Sequence, residues 1–553
     1  MKLKIFLLTV ILCLQILVTS AANIPLMPVQ DIVPGMHGVA KTVVVGDEIE
    51  EFYVEVIGVS GTETSGYSIL VRSYGDLVER TGGIAQGMSG SPVYIDGRLV
   101  GAVAYGKSFN DPHYCFLTPI GDMLKMLDTP QKQKIDWIPK GTSLMAGGFS
   151  DAGFAVLKEE LGKQGLEVMR GVQGSQSSSK PFEPGSAVGV SLMTGDMTIG
   201  ALGTVTWTDD DGHILAFGHP FMSRGDSSFF MNKAWMLGAI PNLNSSYKVG
   251  NIGEAVGSIV QDRSSGIAGE VAKLPKSIPV AIQVKDLSRG VRKSARVRVI
   301  DDEKLLPAVI NSAAISTVTA AADRSLGGTA KVGFRITGVD TEKKFIELKH
   351  ENMFYTNKNF EKVIMEELLE GMNIIVNNKF EKINLYNVDV DVEVSDEVQV
   401  AELTKVSCER KSFKPGDKAR LKLQLRPFRG KEFTQFVEFE IPKKHHGGKL
   451  VLNIHGGANS SWVVNQLRKQ KESDSQEAKK TRKNKFLADF VKEFNETDCN
   501  NSLIIDITGG MSGLPKNDGD PATMLKGSPY KKVVPYDFII DGEIELVLNV
   551  ERQ

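Results

Sequence analysis

Hydrophobic and polar positions alternate with a period of two along much of the chain, and the alternation breaks at turn-forming dipeptides. Two β-branched runs, 39–45 and 49–59, are joined at Gly46-Asp47, which predicts an antiparallel hairpin. A second hairpin is predicted where 93–95 and 98–100 flank Asp96-Gly97, a dipeptide suited to the positive φ angles of a type I′ turn. Residues 23–127 therefore read as one compact β unit. Between 128 and 185 the composition shifts to Pro, Gly, Ser and Gln with a single helical stretch at 152–163, the signature of a linker region. Strand patterning resumes at 188–193, 198–208 and 213–217, with Asp209-Asp210-Asp211-Gly212 as a turn. This second β unit is assigned to 186–345 and includes a packing helix at 303–322.

Further along, Phe360, Val363, Ile364, Leu368 and Met372 recur at helical spacing, so 346–395 is predicted to hold a helix with connecting strands. Residues 396–553 alternate again and are predicted to form a β-sandwich interrupted by a charged helical insertion, 466–494. That insertion ends in an apolar stripe of Phe486, Leu487, Phe490, Val491 and Phe494, expected to pack on its own sandwich, with a partner-binding helix as the alternative.

Composition narrows the function classes. Lys2 and Lys4, an apolar run at 5–18 and small residues at 19–22 form a secretory signal peptide, 1–21. No later run approaches the roughly 18 apolar residues of a spanning helix, so no integral membrane span is expected in the mature chain. Among 553 residues, 65 Lys and Arg balance 67 Asp and Glu, which supplies no basic field for nucleic acid. Cys13 leaves with the leader, and Cys115, Cys408 and Cys499 are too far apart for a metal knuckle or a redox pair. A Cys408–Cys499 bridge is compatible with their common placement late in the chain. His113, His213, His445, His446 and His455 show no ligand spacing, so neither metal nor cofactor is expected.

The chemistry concentrates at Gly87-Met88-Ser89-Gly90-Ser91-Pro92. A serine hydroxyl becomes a useful nucleophile when it sits on a tight turn, near a base, with amide donors aimed at the developing oxyanion. Glycines at 87 and 90 permit such a turn, with the N–H groups of Gly87 and Ser89 as the oxyanion donors. The six letters nearly recur at Gly510-Met511-Ser512-Gly513-Leu514-Pro515, but there a polar loop follows in place of a hairpin, so Ser512 is read as an ordinary turn serine.

Around Ser89 the pattern becomes specific. Thr81-Gly82-Gly83-Ile84-Ala85-Gln86 before the motif, Asp96-Gly97 behind it and Asn110-Asp111-Pro112 beyond resemble the SpoIVB peptidase family of serine proteases. A second block, 199–207 followed by Leu215-Ala216-Phe217-Gly218-His219, resembles the strand pair that carries the family's histidine. The resemblance implies a mainly β, chymotrypsin-like double β-barrel, with Ser89 as nucleophile, His219 as general base and a protein or peptide substrate. The serine block precedes the histidine block here, the reverse of the sporulation protease, which implies a permuted barrel order. The position of the family's aspartate holds Tyr74, so Asp76, two residues on along the presumed strand, is the candidate third member. Asp226 is its rival, and a site without any carboxylate is the third option. Asp262-Arg263 is read as a local ion pair shaping the second barrel.

The resulting expectation is a serine endopeptidase exported across the inner membrane to the periplasm or envelope, with an envelope-associated protein as a candidate partner. Two alternatives stand beside it: a catalytically silent envelope scaffold on the same fold, and a protein that cleaves only itself.

Overall fold

A computed structural model describes residues 24–552 except 65, 106–110, 129–142, 243–244, 323–326, 461–485 and 508–529. The leader peptide, Ser512 and most of the charged insertion lie outside the described residues. The chain divides into two compact units, one built chiefly from 1–148 and 158–277, the other from 278–296 and 302–553.

The first unit holds two barrels. Six strands close the first: β1 (His37–Val43), β2 (Ile49–Thr62), β3 (Gly66–Tyr74), β4 (Pro92–Ile95), β5 (Arg98–Tyr105) and β6 (Tyr114–Pro119), in the order β1-β2-β3-β6-β5-β4 with β4 returning to β1. Both predicted hairpins are present, β1–β2 in register from His37–Glu55 to Val43–Ile49, and β4–β5 around Asp96, whose φ is 50°. Alternate side chains point inward, so Ala40, Phe52, Val54, Val56, Ile69, Val71, Val93 and Ile95 fill the lumen.

The stretch 128–185, patterned as a linker, contributes β7 (Leu144–Gly147), a helix at Asp151–Lys163 and β8 (Val168–Arg170). Strands of four and three residues are too short to show a period, and β7 gains its place by pairing with β8 and with the following barrel.

That second barrel is formed by β9 (Ala187–Gly195), β10 (Thr198–Thr208), β11 (His213–Ala216), β12 (Gly225–Ile240), β13 (Tyr247–Arg263) and β14 (Gly266–Val271). Its pairings run β9-β12-β13-β14-β11-β10 and return from β10 to β9, closing a second six-stranded ring. In β10 every residue from Thr198 to Thr206 is buried, because one face lines the lumen and the other meets the first barrel. Close packing explains its glycines: a Cβ on Gly203 would stand 2.3 Å from the Phe217 ring, and one on Gly200 2.3 Å from the Val190 carbonyl oxygen.

In the second unit, strands Gly328–Val339, Phe345–Thr356 and Asn384–Ser395 pair antiparallel, and the last runs parallel to Ser277–Asp286. The helix Leu306–Ala322 is buried at 15 positions and shows no polar face, so it is a core helix rather than a surface one. Helices Phe360–Ile364 and Glu366–Val376 pack beside it. The C-terminal sandwich is present as a four-stranded and a five-stranded sheet, its core made of Leu421, Leu423, Leu425, Val437, Phe439, Leu450, Leu452 and Ile454. The end of the insertion forms helix Leu487–Asn495, and its stripe turns inward: Phe494 meets Phe334 and His350, and Phe490 meets Phe380. The stripe thus packs on the preceding strands and helix of this unit rather than on the sandwich. Cys115, Cys408 and Cys499 are all free thiols, so the Cys408–Cys499 bridge is not formed. Among the described residues no helix is long and apolar enough to cross a membrane.

Gly203→Ala forces a methyl into the fully enclosed Phe217 ring, and overpacking of this kind costs roughly 1–3 kcal/mol. Thermal denaturation of the variant is expected to show a Tm lower by several degrees.

Candidate functional site: the serine turn between two barrels

The serine turn follows helix Asp76–Thr81 of the first barrel. Gly82 caps that helix in the left-handed conformation at φ 68°, and the Thr81 hydroxyl donates to the Gly83 carbonyl at 2.7 Å, with the carbonyls of Leu77 and Val78 also within reach. Gly83 lies flat against Pro112, where a Cβ would approach within 2.3 Å of the proline ring, and Ile84 N–H donates to the Pro112 carbonyl at 2.9 Å. The Thr81-Gly82-Gly83 and Asp111-Pro112 segments are therefore one contact that fixes the entry to the turn.

The turn itself requires glycine twice. Gly87 and Gly90 have φ of 93° and 95°, and a Cβ on Gly90 would sit 1.9 Å from the Thr204 carbonyl oxygen. That closeness arises because β10 grips the turn. Thr204 N–H donates to the Ser89 carbonyl at 2.8 Å, the Thr204 hydroxyl to the Gly87 carbonyl at 3.0 Å, and the Thr206 hydroxyl to the Gly90 carbonyl at 2.7 Å. Thr204 and Thr206 share one face of the strand by the period of two, while Val205 points the other way into the lumen.

Two amides are left over. Among the described residues the N–H groups of Gly87 and Ser89 have no acceptor, whereas those of Gln86, Met88, Gly90 and Ser91 are all bonded. The carbonyls on the far side of these two peptide planes are held. The Gln86 carbonyl accepts from Lys248 N–H at 2.9 Å, and the Met88 carbonyl from Ser91 N–H at 2.9 Å and from the Ser91 hydroxyl at 2.6 Å. A carbonyl that accepts a hydrogen bond polarises the N–H of the same peptide unit. Ser91 is fully buried and serves this purpose; its neighbour Ser89 is half-exposed, with its hydroxyl 3.5 Å from the Ala104 carbonyl.

His219 approaches along the same framework. Phe217 N–H donates to the carbonyl of Thr204, the residue whose own N–H holds Ser89, so one residue joins the serine and histidine segments. Gly218 packs onto Ala102, Val103 and Ala104, and its carbonyl accepts from the Thr118 hydroxyl at 2.6 Å. The His219 Nδ1 lies 2.8 Å from the Pro220 carbonyl oxygen. A carbonyl oxygen can only accept, so Nδ1 carries the proton and the neutral ring presents Nε2 as its acceptor. Burial pushes the imidazole below the ordinary histidine range, opposed by the Pro220 carbonyl, so the ring is neutral at neutral pH.

The carboxylates fall elsewhere than strand parity suggests. β3 ends at Tyr74, and Gly75 turns the chain with φ 108°, so Asp76 opens a helix and is exposed. Tyr74 stacks on Tyr53 and meets His37 Nδ1 at 3.0 Å. Asp226 pairs with Arg263 at 2.9 Å. The expected local pair Asp262–Arg263 is thereby replaced: Asp262, fully buried, accepts from the backbone N–H groups of Phe221, Met222 and Arg224 at 2.7, 2.8 and 3.1 Å. It is the carboxylate that organises the loop leaving His219, and nothing local in the sequence marks it. Asp209, Asp211 and His213 gather in the β10–β11 turn as a partly exposed network, with His213 Nδ1 2.7 Å from Asp209 Oδ2.

Two closed β-barrels with a glycine-bounded serine turn and a neutral histidine define the chymotrypsin-like class. The family model described as SpoIVB peptidase S55 matches residues 17–124, so the serine block resembles that family across the whole first barrel, and the match supports a serine peptidase of the SpoIVB type. The match ends before the histidine block. No curated protein and no solved structure matches the chain.

Asp262→Asn replaces one of two accepting oxygens with an N–H₂ that faces amide donors. Losing acceptors for buried N–H groups costs roughly 1–3 kcal/mol each, so chemical denaturation of this variant is expected to show a stability lower by about 2–4 kcal/mol.

Proposed function

We propose that the chain is an exported serine endopeptidase in which Ser89 attacks the scissile carbonyl, His219 is the general base and the amides of Gly87 and Ser89 bind the oxyanion. The observation that carries this reading is the pair of acceptor-free amides on either side of Met88, each backed by a hydrogen-bonded carbonyl, beside the Ser89 hydroxyl. In the first step the Ser89 Oγ–H bond gives its proton to His219 Nε2 as Oγ bonds to the substrate carbonyl carbon, whose oxygen takes up negative charge. Collapse of that adduct breaks the C–N bond, the amine leaves with the proton from Nε2, and water repeats the sequence to release the acyl group.

The third member of a triad holds the histidine tautomer. Here the Pro220 carbonyl can serve that end, and the Asp262 carboxylate holds the loop behind it, which supports a site that works without a carboxylate on the ring. Relative to the sporulation protease, the serine barrel comes first, and the proposed permutation keeps both barrels whole. The leader pattern at 1–21 supports export, and the substrate is a protein or peptide of the envelope.

Purified protein is expected to be labelled by a fluorophosphonate at Ser89, identified by peptide mass spectrometry. Ser89→Ala and His219→Ala abolish labelling, while Ser512→Ala leaves it unchanged. Because His219 must be neutral to accept the proton and its pKa is lowered, labelling holds from neutral pH to below the ordinary histidine value of about 6.5 and fails only under more acid conditions. A folded wild-type protein that resists labelling at every pH would replace this reading by the silent scaffold.

A further inference from the structure

Lys248, on β13, is completely buried, with its stem laid along the serine turn: a Cβ on Gly87 would stand 3.1–3.3 Å from Lys248 Cβ, Cγ and Cδ. Its Nζ donates to the Thr42 hydroxyl of β1 at 2.7 Å, and the Thr42 and Thr204 hydroxyls are 3.3 Å apart. Since the Thr204 hydroxyl donates to the Gly87 carbonyl, its oxygen is the acceptor for Thr42, and all hydrogen bonds in the series run one way, from the amine to Gly87. Lys248 also acts from its main chain, where its N–H holds the Gln86 carbonyl at 2.9 Å. Both peptide planes that meet at the Gly87 Cα are therefore held from this residue: the plane bearing the free Gly87 N–H directly, the next one through two hydroxyls.

We propose that Lys248 is a positioning residue for the oxyanion amide of Gly87, its amine anchoring a Thr42–Thr204 hydroxyl relay that runs across both barrels to the serine turn. Stability alone gives no reason for the amine. Among the described residues Thr42 is its hydrogen-bond partner, and the Glu50 carboxylate that acts on it is itself paired with Arg80. Burial pushes the ammonium down to about 7, so keeping an amine here costs folding energy that an apolar chain of similar length would not. A side chain retained against that cost is retained for what it holds. A methionine would fill the same space, leave the main-chain bond to Gln86 intact and remove only the relay.

The activity part of this proposal rests on Ser89 being a nucleophile, so the test carries a second readout that does not. Lys248→Met, Thr42→Val, Thr42→Ser and the double variant Lys248→Met/Thr42→Val are compared with wild type in the full mature chain. The measurements are thermal denaturation, hydrogen exchange of the peptide covering 84–91 by mass spectrometry, and the rate of fluorophosphonate labelling. Lys248→Met is expected to keep or raise Tm, exchange faster across 84–91 and label at least tenfold more slowly. Thr42→Val reproduces the last two effects, Thr42→Ser restores the relay, and the double variant loses no more than either single one, as expected for members of one network. Wild-type exchange and labelling in Lys248→Met would overturn the proposal, as would losses that add in the double variant. If wild type is never labelled, the nucleophile reading fails separately, and exchange alone decides the relay.

Discussion

The grip of β10 on the serine turn is the constraint on which the rest of this unit depends. A turn carrying two left-handed glycines and two amides without acceptors does not hold itself, because its own hydrogen bonds account for only part of its backbone. Thr204 and Thr206 add three bonds from the other barrel, to the carbonyls of Gly87, Ser89 and Gly90. The arrangement explains why the turn glycines cannot be replaced: Gly90 lies so near Thr204 that even a methyl would displace the strand. It also explains why β10 is buried on both faces although it closes a barrel, and why the second barrel is needed for a motif that lies wholly in the first.

The same strand ties the base to the nucleophile. Thr204 gives its N–H to Ser89 and takes the N–H of Phe217, two residues before His219. Any shift of β10 moves both. Behind the histidine, the loop is held by Asp262 through three main-chain amides rather than by a carboxylate on the ring, and the ring's tautomer is set by the Pro220 carbonyl. Charge in this region is thus used to fix backbone, and the imidazole is left neutral by burial.

Much of the framework was legible in the chain. The β1–β2 and β4–β5 hairpins follow from alternation and from Gly46-Asp47 and Asp96-Gly97, the packing helix expected at 303–322 from its Ala, Ser and Leu content with Pro307 near its start, and the sandwich from its period of two. Ser89 stands out because tight turns need glycine, which is visible locally, and His219 through the resemblance of its block to the family's histidine strands. The supports of the site were not legible, since each acts across a long separation. Thr204 and Thr206 read as strand residues with nothing to show which carbonyls they meet; Asp262 reads as half of a local pair with Arg263, and nothing near Lys248 in the chain marks it, because burial is a property of the fold. Ser91 looks like a second turn serine until its hydroxyl is seen on the Met88 carbonyl. Asp76 was expected by strand parity, which does not survive Gly75. The strands β7 and β8 were hidden because three or four residues carry no measurable period, and the insertion's stripe predicted burial without naming the surface that receives it.

The central claim is that the clamped turn aims the Gly87 and Ser89 amides at a reacting oxygen. A crystal structure of the protein after reaction with a peptidyl phosphonate tests it most directly. The account predicts a bond from Ser89 Oγ to phosphorus, with the phosphonyl oxygen about 2.7–3.1 Å from both amide nitrogens and the Thr204 and Thr206 bonds to the turn intact. An adduct whose phosphonyl oxygen points to solvent, or one formed only with the turn detached from β10, would contradict it.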